Sequence, residues 1–164
     1  MKNFKKNILC LFVVVAMVFV SSICLAIDPR YNIDGTTEEP IVTDHITGLG
    51  WQPNTTIGSV DWKDALAYCE ALSYGGADDW RLPDVTELIS IVDETRAEAP
   101  SINPVYFPGF DADGGHWTST TSRKTGTSAY VVYFDDQGTT VSRGGVSAVS
   151  KTGEALVLCV RGNE

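Results

Sequence analysis

Two stretches of the chain repeat apolar residues at the three-and-four spacing of a helix face. Trp62, Ala65, Leu66, Cys69 and Leu72 form the first stripe, with Asp61 placed to cap it and Gly75-Gly76 to stop it. Val85, Leu88, Ile89 and Val92 supply the buried face of the second. It opens at Asp84 with Glu87 three residues on, the pattern of a capping box. Between them runs Gly75-Gly76-Ala77-Asp78-Asp79-Trp80-Arg81-Leu82-Pro83-Asp84. It combines a chain reversal, an aromatic, an Arg and a Pro that directs the chain into the second helix.

Outside the helices the pattern is that of short strands separated by turn residues. Residues 41–44 and 49–52 read as two strands joined by a turn at His45-Ile46-Thr47-Gly48. Strands return at residues 116–120 and in a hairpin made of residues 129–134, a turn at Asp135-Asp136-Gln137-Gly138, and residues 139–143. Residues 155–161 are apolar on both faces and read as a central strand. Residues 27–40 are polar and read as a flexible lead-in, and residues 53–59 and 101–115 as loops. This order predicts an α+β domain, two helices packed on short antiparallel strands, rather than alternating βαβ units.

The first 26 residues have a different character. Lys2, Lys5 and Lys6 precede an apolar run over residues 8–20, and Cys24-Leu25-Ala26 offers small-residue cleavage after Ala26. This is the pattern of a signal peptide, so the chain is expected to be exported, to the periplasm or out of the cell. Its apolar core is shorter than the roughly 20 residues a membrane span needs, and no other stretch qualifies. The remaining residues, 27–164, suit one domain with its own core.

Cleavage also changes the charge and the cysteine count. Without the three Lys, nine basic residues face 21 acidic ones, a net charge of −12. A chain that acidic is a poor nucleic-acid binder, whereas neutral glycans, cations or basic proteins remain suitable partners. Cys10 and Cys24 leave with the signal, so Cys69 and Cys159 remain. Two Cys in an exported chain point to one disulfide, closing a loop of about 90 residues worth up to about 4–5 kcal/mol in the loop-entropy model. The alternative, a reactive thiol pair, lacks a C-x-x-C partner or a neighbouring His.

Candidate chemistry is sparse. Trp80 and Arg81 read either as a ligand platform or, the reading favoured by the pattern, as packing groups: Trp80 under the helix junction, Arg81 tying loop carbonyls or Glu87. Asp111, Asp113, Asp135 and Asp136 are the candidate oxygen ligands for a calcium ion, although the string lacks the terminal Glu of an EF-hand loop. His45 and His116 have no zinc-like spacing. Aromatic residues are abundant, and Tyr106, Phe107, Phe110, His116 and Trp117 are the candidate ligand-binding set, as an exposed stacking face; the competing reading makes most of them core.

Several blocks occur in a fixed order. They are Thr43-Asp44 with Thr47-Gly48-Leu49-Gly50-Trp51-Gln52; Trp62 and Ala65 through Tyr68-Cys69-Glu70; and Asp79-Trp80-Arg81-Leu82-Pro83 with Glu87-Leu88. Trp117-Thr118-Ser119-Thr120 and Cys159-Val160-Arg161-Gly162 complete the series. Together they resemble the bacterial Lcl C-terminal domain family over residues 41–162. The resemblance implies a C-type-lectin-like fold, in which a Cys on the first helix pairs with one in the final strand, the positions of Cys69 and Cys159. It also makes His116 a packing substitute for an aromatic residue. The family likeness implies ligand binding at cell surfaces, including to sulfated glycans. The expected function is therefore a non-enzymatic module binding a glycan or protein ligand. The alternatives are a calcium-stabilised structural domain and an oxygen-using enzyme related to the formylglycine-generating group, which would need free thiols.

Overall fold

The structure, a computed structural model, describes residues 30–54, 57–135 and 144–162. The expected signal peptide, residues 136–138 of the expected turn and the strand expected over residues 139–143 lie outside these. The elements are β1 (Tyr31–Gly35), β2 (Pro40–Asp44), β3 (Gly50–Trp51), α1 (Trp62–Glu70), α2 (Val85–Ser90), β4 (Gly115–Thr121), β5 (Ser128–Tyr133), β6 (Val146–Ser150) and β7 (Val160–Arg161). They form two antiparallel sheets, ordered β1-β2-β3-β7 and β4-β5-β6. Among the described residues, the α+β architecture with two helices and one disulfide is as expected.

Both helix starts follow their sequence signals. The Asp61 carboxylate accepts the Asp64 N–H at 2.9 Å. The Asp84 carboxylate accepts from Thr86 and Glu87, and Glu87 accepts from the Asp84 N–H in return, which completes the capping box. The ends differ. α1 stops at Glu70, not at the glycines, because the Leu72 N–H reaches back only three residues, to Cys69, tightening the last turn. Leu88 is buried and Val85 and Val92 pack on the core as the periodicity requires, but Ile89 is exposed and Ile91, just past the end of α2, is buried instead.

Gly75 and Gly76 instead make a left-handed turn, φ +63° and +75°, inside a bridge between Tyr74 and Ala77. A Cβ at Gly75 would lie 2.5 Å from the Ile41 side chain. Gly75→Ala is therefore expected to destabilise the fold by about 1–3 kcal/mol, through strain at positive φ and overpacking, read as a lower urea midpoint.

The lead-in is corrected in its described part. Residues 31–35 are an edge strand paired with β2. It is anchored by Arg30, whose guanidinium donates to the buried Asp44 carboxylate at 2.6 and 3.1 Å and to the Ser90 carbonyl at 2.6 Å. Besides β4, the described strand that pairs with β5 is β6, which the hydrophobic pattern did not mark.

The segment expected as one central strand is buried throughout residues 155–160 but changes partners along its length. Ala155 bridges Val60, Leu156 bridges His116, and only Val160–Arg161 joins a sheet. One segment serving both sheets cannot keep a single ladder. Its end is locked to the Trp80–Pro83 turn: Arg81 and Val160 exchange backbone hydrogen bonds at 2.8 and 2.9 Å. Cys69 and Cys159 are joined beside that turn, in a buried cluster with Ala65, Trp80, Leu82 and Trp117. The second buried cluster lies under α2 and holds Trp51, Leu88, Phe107 and Phe134.

Candidate functional site

The Trp80–Pro83 turn has a structural interior and an exposed rim. Trp80 is buried, its ring edge-on to Tyr74 and its indole N–H donating to the Tyr74 carbonyl at 3.0 Å. Arg81 makes a bidentate pair with Glu87, at 2.7 and 2.8 Å, and donates to the Gly162 carbonyl at 3.1 Å. Burial raises the Glu87 pKa, but the hydrogen bonds from Arg81 and the Asp84 N–H outweigh it and hold the carboxyl below its ordinary range. One Arg thus ties the turn to α2 and to the last strand. Pro83 presents its carbonyl to the Ser119 N–H at 2.8 Å. The packing reading of Trp80, Arg81, Leu82, Pro83 and Glu87 describes what these groups do here.

Above this turn opens a cleft of about 710 Å³, lined by Leu66 and Glu70 of α1, by Asp79 to Leu82, by Ser119 of β4 and by Gly162. Its rim carries an ion pair: Arg161 Nε lies 2.8 Å from Asp79 Oδ1 and Nη2 3.2 Å from Oδ2. The two side chains are 35% and 50% exposed, so both can reach a ligand without being dragged from the core. Arg161 and Gly162 also line a shallower groove of about 190 Å³ with Ile41, Thr43, Gly48 and Gly50. Packing at Gly50 is tight, since a Cβ there would lie 3.0 Å from the Arg161 stem and 3.2 Å from the Ile41 side chain.

Chemically, the cleft offers carboxylates at Glu70 and Asp79, the Arg81 guanidinium already paired with Glu87, and apolar side chains from Leu66 and Leu82, with Arg161 reaching its edge through Asp79. The Ser119 hydroxyl donates to the Pro83 carbonyl at 3.3 Å, and the described lining residues include no His or Lys to activate it. Such a set suits hydrogen bonding to hydroxyl- or amide-bearing ligands. Sequence reasoning placed Glu70, Asp79, Ser119 and Arg161 within the motif blocks but assigned none of them to a site. The one signal was that Asp79 and Arg161 are charged residues flanking otherwise buried blocks.

The aromatic set expected as an exposed stacking face is placed otherwise. Tyr106, Phe107, His116 and Trp117 are buried, and Phe110 is partly buried against them. Tyr106 and Phe107 pack on Tyr31, the Trp117 indole N–H donates to the Val60 carbonyl at 2.8 Å, and His116 stacks on Phe110. These rings are core, and His116 packs among them as an aromatic residue would.

The acidic candidates form no metal-holding group among the described residues. Asp111 accepts the Asp113 N–H in a local turn at 2.9 Å, Asp135 lies nearly buried after β5, and Asp136 is outside the described residues. Among the described residues no group of three or more His, Cys, Asp or Glu side chains is placed to hold a metal ion. Nor is any described helix long and apolar enough to cross a membrane. Cys69 and Cys159, the candidate thiols, are bonded to each other and fully buried.

The model of the Lcl C-terminal domain matches residues 40–161, nearly all of the described structure from β2 onward. No curated protein matches the chain. With the motif blocks falling on the turn, the disulfide and the cleft rim, the chain belongs to the Lcl C-terminal domain family.

Proposed function

We propose that this chain is an exported, non-enzymatic binding module of C-type-lectin-like fold, taking a neutral glycan or a protein ligand in the cleft over the Trp80–Pro83 turn. The observation that carries this reading is the cleft itself. Its rim groups are half-exposed and polar, while its floor is held by the disulfide, the Arg81–Glu87 pair and the Arg81–Val160 bonds. A preorganised floor with adjustable polar rim groups lowers the ordering cost of binding. The buried disulfide supports an oxidising compartment, and the net charge of −12 expected after signal cleavage favours neutral or basic ligands over polyanions.

A glycan-array screen of the purified, disulfide-bonded protein, run with calcium and with a chelator, tests this. Binding is expected to be indifferent to the chelator. Glu70→Trp, placed on the exposed end of α1 to fill the cleft, should weaken it at least about 10-fold with an unchanged melting temperature, a loss of about 1.4 kcal/mol. Binding abolished by the chelator would transfer the site to the Asp111 region. Binding untouched by Glu70→Trp would remove it from the cleft. No glycan binding would leave basic protein partners as the ligand class.

A further inference from the structure

His116 is a buried titratable group that the proposed site does not use. It lies on β4 with no exposed surface, and neither ring nitrogen has a hydrogen-bond partner among the described residues. Its ring stacks on Phe110 at 4.7 Å and 14° and meets Phe134 edge-on at 5.3 Å. Val132 stands opposite on β5 and Leu156 bridges from the C-terminal segment, and neither brings a charge. The charged group acting on the ring is Asp111, next to Phe110 in the loop; Asp113 in the same loop and Asp135, next to Phe134, are further described carboxylates close in sequence to its aromatic partners.

The two aromatic partners are held very differently. The Phe134 carbonyl accepts from the backbone N–H and the hydroxyl of Ser101, so it is fixed beside the sheet. The segment carrying Phe110 lies between Gly109, φ +69°, and Gly114, φ +154°. Its described backbone bonds are internal: Asp113 N–H to the Asp111 carboxylate and Gly114 N–H to the Ala112 carbonyl. Phe110 and Ala112 are what pack it on the core.

We propose that His116 is an acid-released latch: protonation drives the imidazole out of the aromatic stack and frees the loop of residues 109–114 with Phe110. A neutral imidazole is tolerated in an apolar stack, whereas an imidazolium would put a charge and two unpaired N–H donors there. Burial holds the His116 pKa down at about 4 from its ordinary 6.5, against the opposing pull of Asp111. The open form binds the proton more tightly than the closed one, so opening is favoured as pH falls through that interval. Between pH 7.5 and 4.5 the opening equilibrium should rise on the order of 100-fold. The loop moves because it is the partner held by side chains alone.

Amide exchange of residues 109–114, corrected for the intrinsic pH dependence of exchange, tests this against the amides of α1. The expected result is an opening increase on the order of 100-fold in the loop at pH 4.5 with α1 still protected, and a flat profile in His116→Phe, which keeps the stack and cannot titrate. A pH-independent loop, an equal rise in His116→Phe, or loop and α1 opening together would overturn the latch. Should His116→Phe fail to fold, the His116 ring protons of the unaltered protein decide. A midpoint near 4 shared with the Phe110 ring supports the latch; a midpoint near 6.5 without change in Phe110 overturns it.

Discussion

Replacing both Cys69 and Cys159 with Ala is expected to lower the unfolding free energy by about 4–5 kcal/mol, a large part of what a domain of this size has. The bond joins residues 90 apart in sequence, so the unfolded chain loses much conformational freedom when it is closed. It also links α1 to the segment that serves both sheets. Without it, α1 is held by the Asp61 cap, by the Trp62 indole on the Thr118 carbonyl at 2.8 Å, and by Lys151 lying 3.8 Å over the Trp62 ring. Urea unfolding of the double variant against the oxidised protein measures the loss. A change below about 1 kcal/mol would show that the link restrains little.

Glu87→Ala is expected to cost about 2–4 kcal/mol. It leaves the partly buried Arg81 guanidinium without its bidentate partner and removes one half of the α2 capping box. Glu87→Gln should cost less, since an amide oxygen can still accept from the Asp84 N–H. The pH dependence separates charge from shape. Glu87 and Asp44 have folded pKa values below their ordinary 4.5 and 3.8, because hydrogen bonds from Arg81 and Arg30 outweigh the upward push of burial. The unfolded chain therefore binds protons first on acidification. The stability these carboxylates contribute is present above their ordinary values and is lost as pH falls through the depressed ones. Glu87→Gln should flatten part of that acid limb, measured as unfolding free energy between pH 5 and pH 2.5. An unchanged slope would mean that Arg81 is satisfied by the Gly162 carbonyl and solvent.

Much of the frame was legible because local chemistry and tertiary structure agree there. Asp61, and Asp84 with Glu87, mark helix starts that need backbone N–H acceptors, and the Ala65–Cys69 stripe faces the core as its spacing requires. The misses share a cause: the deciding contact is distant in sequence. β1 buries only Tyr31, so it carries no alternation, and its place depends on Arg30 finding Asp44. β6 alternates exposed and half-buried small residues and is recognisable only through its pairing with β5. The Tyr106–Trp117 rings have the composition of a binding face. Tyr106, Phe107 and Phe110 turn inward onto the aromatic surfaces of Tyr31, His116 and Phe134, while Trp117 is buried in the cluster around the disulfide. Apart from the charged residues that flank its buried blocks, the cleft had no local signature, since Glu70, Asp79, Ser119 and Gly162 meet only after the last strand docks on Arg81.

The most direct test of the proposed site is a map of backbone amide shifts in the purified, oxidised protein, titrated with the tightest-binding glycan from the array. Saturable shifts are predicted at Glu70, Asp79, Ser119 and Gly162, with residues 106–117 unmoved. Shifts confined to residues 106–117, or no saturable shift with any array glycan, would contradict a glycan site in the cleft.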